Sequence, residues 1–92
     1  MSNQQNILID KVAVIGIGLI GGSMALALKE KNIAATVYGV DANKEHTRQA
    51  LELGLVDEIK ELDEAVELAD LIILAVPVNI ADILLPQILN KV

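Results

Sequence analysis

The chemistry in this chain gathers near its amino end, in Gly16-Ile17-Gly18-Leu19-Ile20-Gly21, a GxGxxG run. Glycines at that spacing suit a phosphate. The first permits a tight turn, the second lets backbone approach a pyrophosphate, and the third lets a helix pack close to a strand. The head of that helix adds free N–H groups and a partial positive charge. Gly22 and Ser23 keep the first turn small, and the Ser23 hydroxyl is a further candidate phosphate donor. Taken alone, the run also fits an ordinary strand-to-helix turn. Asp41 narrows the choice. It stands twenty residues after Gly21, where a carboxylate accepts hydrogen bonds from both ribose hydroxyls of an adenosine and repels a 2′-phosphate. Loop and acid together predict a site for NAD and not NADP. Asp41 is equally well placed to cap the next helix.

The elements around these residues are legible as pattern. Lys11–Ile15 (KVAVI) is a short β-branched run ending at Gly16, as a buried strand would. Ile20, Met24, Ala27 and Leu28 recur at helical spacing and predict one apolar helix face. Thr36–Val40 (TVYGV) predicts the second strand, with Gly39 marking a close backbone approach. Asn43 is a candidate cap for a second helix with an inner face of Thr47, Ala50 and Leu51, and Gly54 would end it. Residues 58–60 predict a minor third strand. Leu62, Ala65, Val66 and Ala69 predict a third helix, capped by Asp63. Leu71–Val76 (LIILAV) is continuously apolar, as expected of a strand covered on both faces. Asn79 would open a last helix carrying Ile80, Ile83, Leu84 and Ile88, with a kink or break at Pro86.

Strand and helix alternating at this spacing predict parallel βαβ units. The expected fold is therefore α/β: a Rossmann-type parallel sheet with helices on both faces, truncated after the fourth strand and its helix. Residues 1–92 would form the amino-terminal part of a dinucleotide-binding domain. In that topology the end of the fourth strand lies beside the first, at the switch point where ligands bind. Val76 and Pro77 are thus placed as an apolar wall against the cofactor, although plain loop packing accounts for them equally well. His46 follows Asp41 by one helical turn and reads as a solvated surface residue, not a catalytic one. Asp57, Glu58, Glu61, Asp63, Glu64 and Glu67 read as a solvated acidic face, since no histidine stands among them.

Composition removes other functions. Thirteen acidic residues against seven basic ones give a net charge of −6, and Tyr38 is the sole aromatic residue. An acidic chain without basic patches or stacking platforms predicts no nucleic-acid partner. Cysteine is absent, so disulfides and thiolate metal sites are excluded, as suits a reducing cytoplasm. Val12–Leu28 lacks charge for seventeen residues, but its four glycines and missing basic flanks argue against a membrane span. Met1–Asn6 lacks the basic start of a signal peptide. Apolar residues reach 53%, yet a chain of this length buries only about 60–65% of its unfolded surface. That mismatch predicts a piece of something larger. LIILAV would otherwise be an exposed edge prone to self-association.

The segments VAVIGIGLIGGSMALALKEK, VYGVDAN, ALELGLVDE and EAVELADLIILAVPV closely resemble the amino-terminal part of the prephenate dehydrogenase family. GLIGGS is the most specific of them, and the likeness runs over roughly residues 10–90. It implies oxidative decarboxylation: prephenate gives a hydride to NAD and loses carbon dioxide, leaving 4-hydroxyphenylpyruvate for tyrosine synthesis. Arogenate is the sister substrate. By the resemblance Gly16, Gly18, Leu19, Ile20, Gly21 and Asp41 carry over as cofactor contacts, with Val76 and Pro77. The family's catalytic histidine, its substrate-binding arginine and its helical dimerisation domain lie downstream of the matched region. No catalytic residue is therefore assigned here, and the 92 residues alone are expected to be inactive. Two alternatives remain: the cofactor part of another hydroxyacid-type dehydrogenase, or a stand-alone, non-catalytic NAD-binding module.

Overall fold

A computed structural model describes residues 7–91, and the statements below concern those residues. The chain order is β1 (Ile9–Ile15), α1 (Leu19–Glu30), β2 (Ala34–Val40), α2 (Lys44–Glu52), β3 (Glu58–Ile59), α3 (Leu62–Leu68), β4 (Leu71–Leu74) and α4 (Val78–Leu89). The strands form one parallel sheet in the order β3-β2-β1-β4. Successive strands step outward through β2 to β3, then cross back over β1 to β4. That reversal creates a crevice at the carboxyl ends of β1 and β4.

Alternation along β1 divides the core in two. Val12 and Val14 point to one face, joined by Val37, Ala25 from α1 and Ala50 from α2. Ala13 and Ile15 point to the other, joined by Tyr38, Ala65 and Val66 from α3, and Ile88 from α4. Period-two side-chain alternation in a strand buried on both faces produces this division. Helices on both faces of a parallel sheet match the expected fold class.

The structure corrects several local readings. In α1 the buried side is Gly21, Gly22 and Ala25; Ile20 and Met24 are exposed. The close approach of α1 to β1 leaves room for glycine and alanine only, so the larger side chains turn outward. In α2, Ala50 is buried while Leu51 is exposed. Asp63 does not cap α3; Glu61 occupies that position without a side-chain bond, and Asp63 lies in the first turn. There its charge still suits the helix dipole. α4 opens at Val78, one residue before Asn79, with the Pro77 carbonyl accepting from the N–H groups of Ile80 and Ala81. The helix runs through Pro86 to Leu89 unbroken. Pro86 deprives the Asp82 carbonyl of its donor, but Asp82 is on the exposed side, where water can serve. Regular β4 ends at Leu74, although Ala75 N–H still donates to the Ile15 carbonyl at 2.8 Å. Gly39 is crowded by side chains of Val56, Ile17 and Ile59, not by backbone.

Other local expectations hold. The Asn43 side chain accepts from the N–H groups of Glu45 and His46 at 2.8 and 3.2 Å. Gly54 closes α2 at φ +70°. Its N–H donates to Leu51 and that of Leu55 to Ala50, the paired bonds of a Schellman ending.

Candidate functional site

The site is built where β1 and β2 end. Gly16 leaves β1 at φ +91°, a conformation that favours glycine. A Cβ at Gly16 would lie 2.5 Å from Val76 Cγ1 and 2.6 Å from the Ala75 carbonyl oxygen. At Gly21 a Cβ would overlap the Gly16 carbonyl oxygen outright. These two glycines therefore let the loop fold onto itself and onto the end of β4. Gly18 differs. It is the N-cap residue of α1, and a Cβ there would meet only the His46 ring, 3.5 Å away. Space beside its backbone is open, a cradle that a side chain would begin to fill.

Asp41 follows β2 directly and ties the two loops together. Its Oδ2 accepts from Ile17 N–H, inside the glycine loop, at 2.9 Å. The same oxygen takes His46 Nδ1 at 2.9 Å, and Oδ1 accepts from Asn43 N–H at 2.8 Å. Burial pushes this carboxyl up, but the Asn43, His46 and Ile17 donors outweigh it and hold Asp41 below its usual value. Three of roughly four acceptor positions on the carboxylate are thus taken. Asp41 stays ionised and fixed at the head of α2, while Asn43 does the capping.

Two further residues depart from expectation. His46 is not simply a solvated surface residue: its ring bonds Asp41 and faces the space where a Gly18 side chain would stand. Its position five residues after Asp41, on the first turn of α2, was the available signal. The Ser23 hydroxyl donates to the Leu19 carbonyl at 3.0 Å. It lines the cleft between α1 and α2 with His46, on a different side of the loop from Val76 and Pro77.

Open space flanks the glycine loop along the carboxyl edge of the sheet. One cavity of about 490 Å³ is lined by Gly18, Leu19, Ile20, Gly21, Val76 and Pro77. Another, of about 340 Å³, is bounded by Gly16, Val40, Asp41 and Val76, with Ile80 and Leu84 of α4. All eight residues expected from the sequence border one or both of these spaces. Leu19 and Ile20 present exposed side chains, so their contribution to a cradle is chiefly backbone. Among the described residues, no cluster of three or more metal-ligating side chains occurs. No helix there is long and apolar enough to cross a membrane.

Known proteins share this sequence pattern and fold. The family model described as the prephenate dehydrogenase nucleotide-binding domain matches residues 24–92. The chain belongs to the prephenate dehydrogenase family. The matched part is the family's nucleotide-binding domain. A prephenate dehydrogenase of Lactococcus lactis subsp. cremoris is 40% identical over 78 residues, covering 85% of this chain and 22% of that enzyme. The crystal structure of Synechocystis arogenate dehydrogenase superposes with a TM-score of 0.78 at 28% identity, covering 88% of this chain and 28% of that one. Prephenate dehydrogenase from A. aeolicus, crystallised with hydroxyphenyl propionate and NAD+, gives 0.75 at 30% identity, covering 94% and 29%. The chain spans about a fifth of the length of the curated relatives it matches.

Proposed function

We propose that this chain binds NAD along the carboxyl edge of its sheet and is the cofactor part of a prephenate or arogenate dehydrogenase. One observation carries the reading: Asp41 and the glycine loop, 24 residues apart in sequence, are joined by the Ile17–Asp41 hydrogen bond into one site. In this reading Gly18 admits the pyrophosphate to the head of α1, where free N–H groups and the helix dipole favour an anion. Gly16 and Gly21 shape the loop, and the Leu19 and Ile20 backbone lines it. Asp41 uses its remaining acceptor position for a ribose hydroxyl. Its fixed negative charge would repel a 2′-phosphate, which disfavours NADP. Val76 and Pro77 form the apolar wall on the β4 side. The chemistry supplied by the bound group is acceptance of a hydride.

Within the whole enzyme, prephenate would lose that hydride and a carboxylate as carbon dioxide, giving 4-hydroxyphenylpyruvate. In this reading the catalytic groups, the substrate pocket and a homodimer interface would be supplied by parts of the enzyme outside these 92 residues. A cytoplasmic setting suits the cysteine-free composition.

The test is a calorimetric titration with NAD and NADP, with Asp41→Ala alongside. NAD should bind more tightly than NADP, and Asp41→Ala should abolish the preference. Equal binding of both dinucleotides by the unaltered chain would overturn the assignment of Asp41.

A further inference from the structure

Asp41 would discriminate between dinucleotides only if its carboxylate stays where it is. Two of its three bonds come from backbone N–H groups, of Ile17 and Asn43. The third comes from a side chain, His46 Nδ1, at 2.9 Å. A carboxylate held at only two points in adjoining turns can still swing about its χ angles; a third, charge-compatible donor removes that freedom. His46 is itself well anchored. Its N–H is bonded to the Asn43 cap, it sits in the first turn of α2, and its ring stands over the open side of Gly18, 3.5 Å from where a Cβ on that glycine would lie. The imidazole therefore holds the same Asp41 oxygen that accepts from Ile17 in the glycine loop.

We propose that His46 is a positioning residue for dinucleotide recognition: it locks the Asp41 carboxylate against the glycine loop and so sets the preference for a free ribose 2′-hydroxyl. The bond to a carboxylate requires a proton on Nδ1, in either the neutral or the charged ring. Nε2 has no hydrogen-bond partner among the described residues. Only the Nδ1 side is used, so an asparagine, whose amide nitrogen reaches nearly the same place, should replace His46. A glutamine, whose amide reaches the Nε2 position, should not.

This inference rests on the dinucleotide reading, and the experiment separates the two. NAD and NADP affinities are measured by calorimetry for the 92-residue chain and for His46→Ala, His46→Asn and His46→Gln, with melting temperatures alongside. His46→Ala and His46→Gln should bind NAD about five- to tenfold more weakly, the scale of one ordinary hydrogen bond lost, and lose most of the preference over NADP. His46→Asn should restore both. A merely structural role would lower the melting temperature and both affinities together, leaving their ratio unchanged, and would overturn the proposal. So would an alanine variant that discriminates as the unaltered chain does, or an asparagine variant as impaired as alanine. Failure of the unaltered chain to bind either dinucleotide would instead refute the reading on which the inference stands, and the inference with it.

Discussion

Replacing Gly21 by alanine should destabilise the fold, whereas replacing Gly18 should chiefly harm nucleotide binding. The added methyl at position 21 would overlap the Gly16 carbonyl oxygen, stand 2.9 Å from the Gly16 carbonyl carbon and 3.4 Å from Ala75 Cβ. Carbon atoms in contact prefer about 3.5–4.0 Å, so α1 must retreat from β1 by at least ~0.6 Å. The obstacles are backbone atoms at the buried end of the first strand, so no rotamer change relieves them. Overpacking of this kind costs about 1–3 kcal/mol, and the upper end applies here. Alanine returns up to about 1 kcal/mol through its better helix propensity, leaving a net loss of about 2 kcal/mol. A domain of this size has only about 5–14 kcal/mol of stability. The melting temperature, followed by circular dichroism, should fall by about 8–16 °C. At Gly18 the methyl would meet only the His46 ring at an ordinary 3.5 Å, so the cost in stability should stay near 1 kcal/mol or below. Dinucleotide affinity should drop nonetheless, because the methyl occupies the cradle. A Gly21→Ala chain melting within about 3 °C of the original would refute the packing role. A Gly18→Ala chain that binds NAD normally would refute the cradle.

Two further outcomes follow from the local structure. Asn43→Ala removes the acceptor for two N–H groups at the head of α2 and should cost about 1 kcal/mol, or about 4–8 °C in melting temperature. Acid should weaken the fold through Asp57. Burial raises its pKa, but Lys29 and the Val37 N–H outweigh that and hold it below 3.8. A carboxyl whose folded pKa is depressed contributes stability above its unfolded value, and loses it as pH falls through the folded one. Asp57→Asn should therefore lower the urea midpoint at pH 7 and flatten its fall between about pH 5 and pH 2. An unchanged slope would assign the acid sensitivity to other carboxyls.

Much of this was legible in the residues themselves, for a physical reason. Backbone rules are local. β-branched and apolar runs between glycines mark strands, and all four strands were found within two residues at either end. Asn43 and Gly54 announced the limits of α2 because capping uses atoms only a few positions apart. The glycine loop and Asp41 could be joined on paper because a βαβ unit of ordinary length returns the second strand beside the first.

Orientation was less visible. Ile20, Met24 and Leu51 looked like core residues by helical spacing, yet they are exposed. Hydrophobicity ranks a residue without saying how near its helix can come to the sheet. That distance was set by Gly21 against the Gly16 carbonyl, and it selected Gly22 and Ala25 for the inside. Asp63 looked like a cap by type, but the turn before α3 placed Glu61 there.

The sequence by itself determined the α/β class, the succession of elements and the residues of the loop and its acid, since these depend on backbone preferences and short-range spacing. Only the tertiary structure decided which helix faces are buried, and that Asp41 is already bonded to Ile17 and His46. The Ile17 bond exists because two strands end side by side, a proximity between residues 24 positions apart that chain folding creates and local pattern does not contain; the His46 bond, five positions long, depends on how the turn into α2 aims the ring.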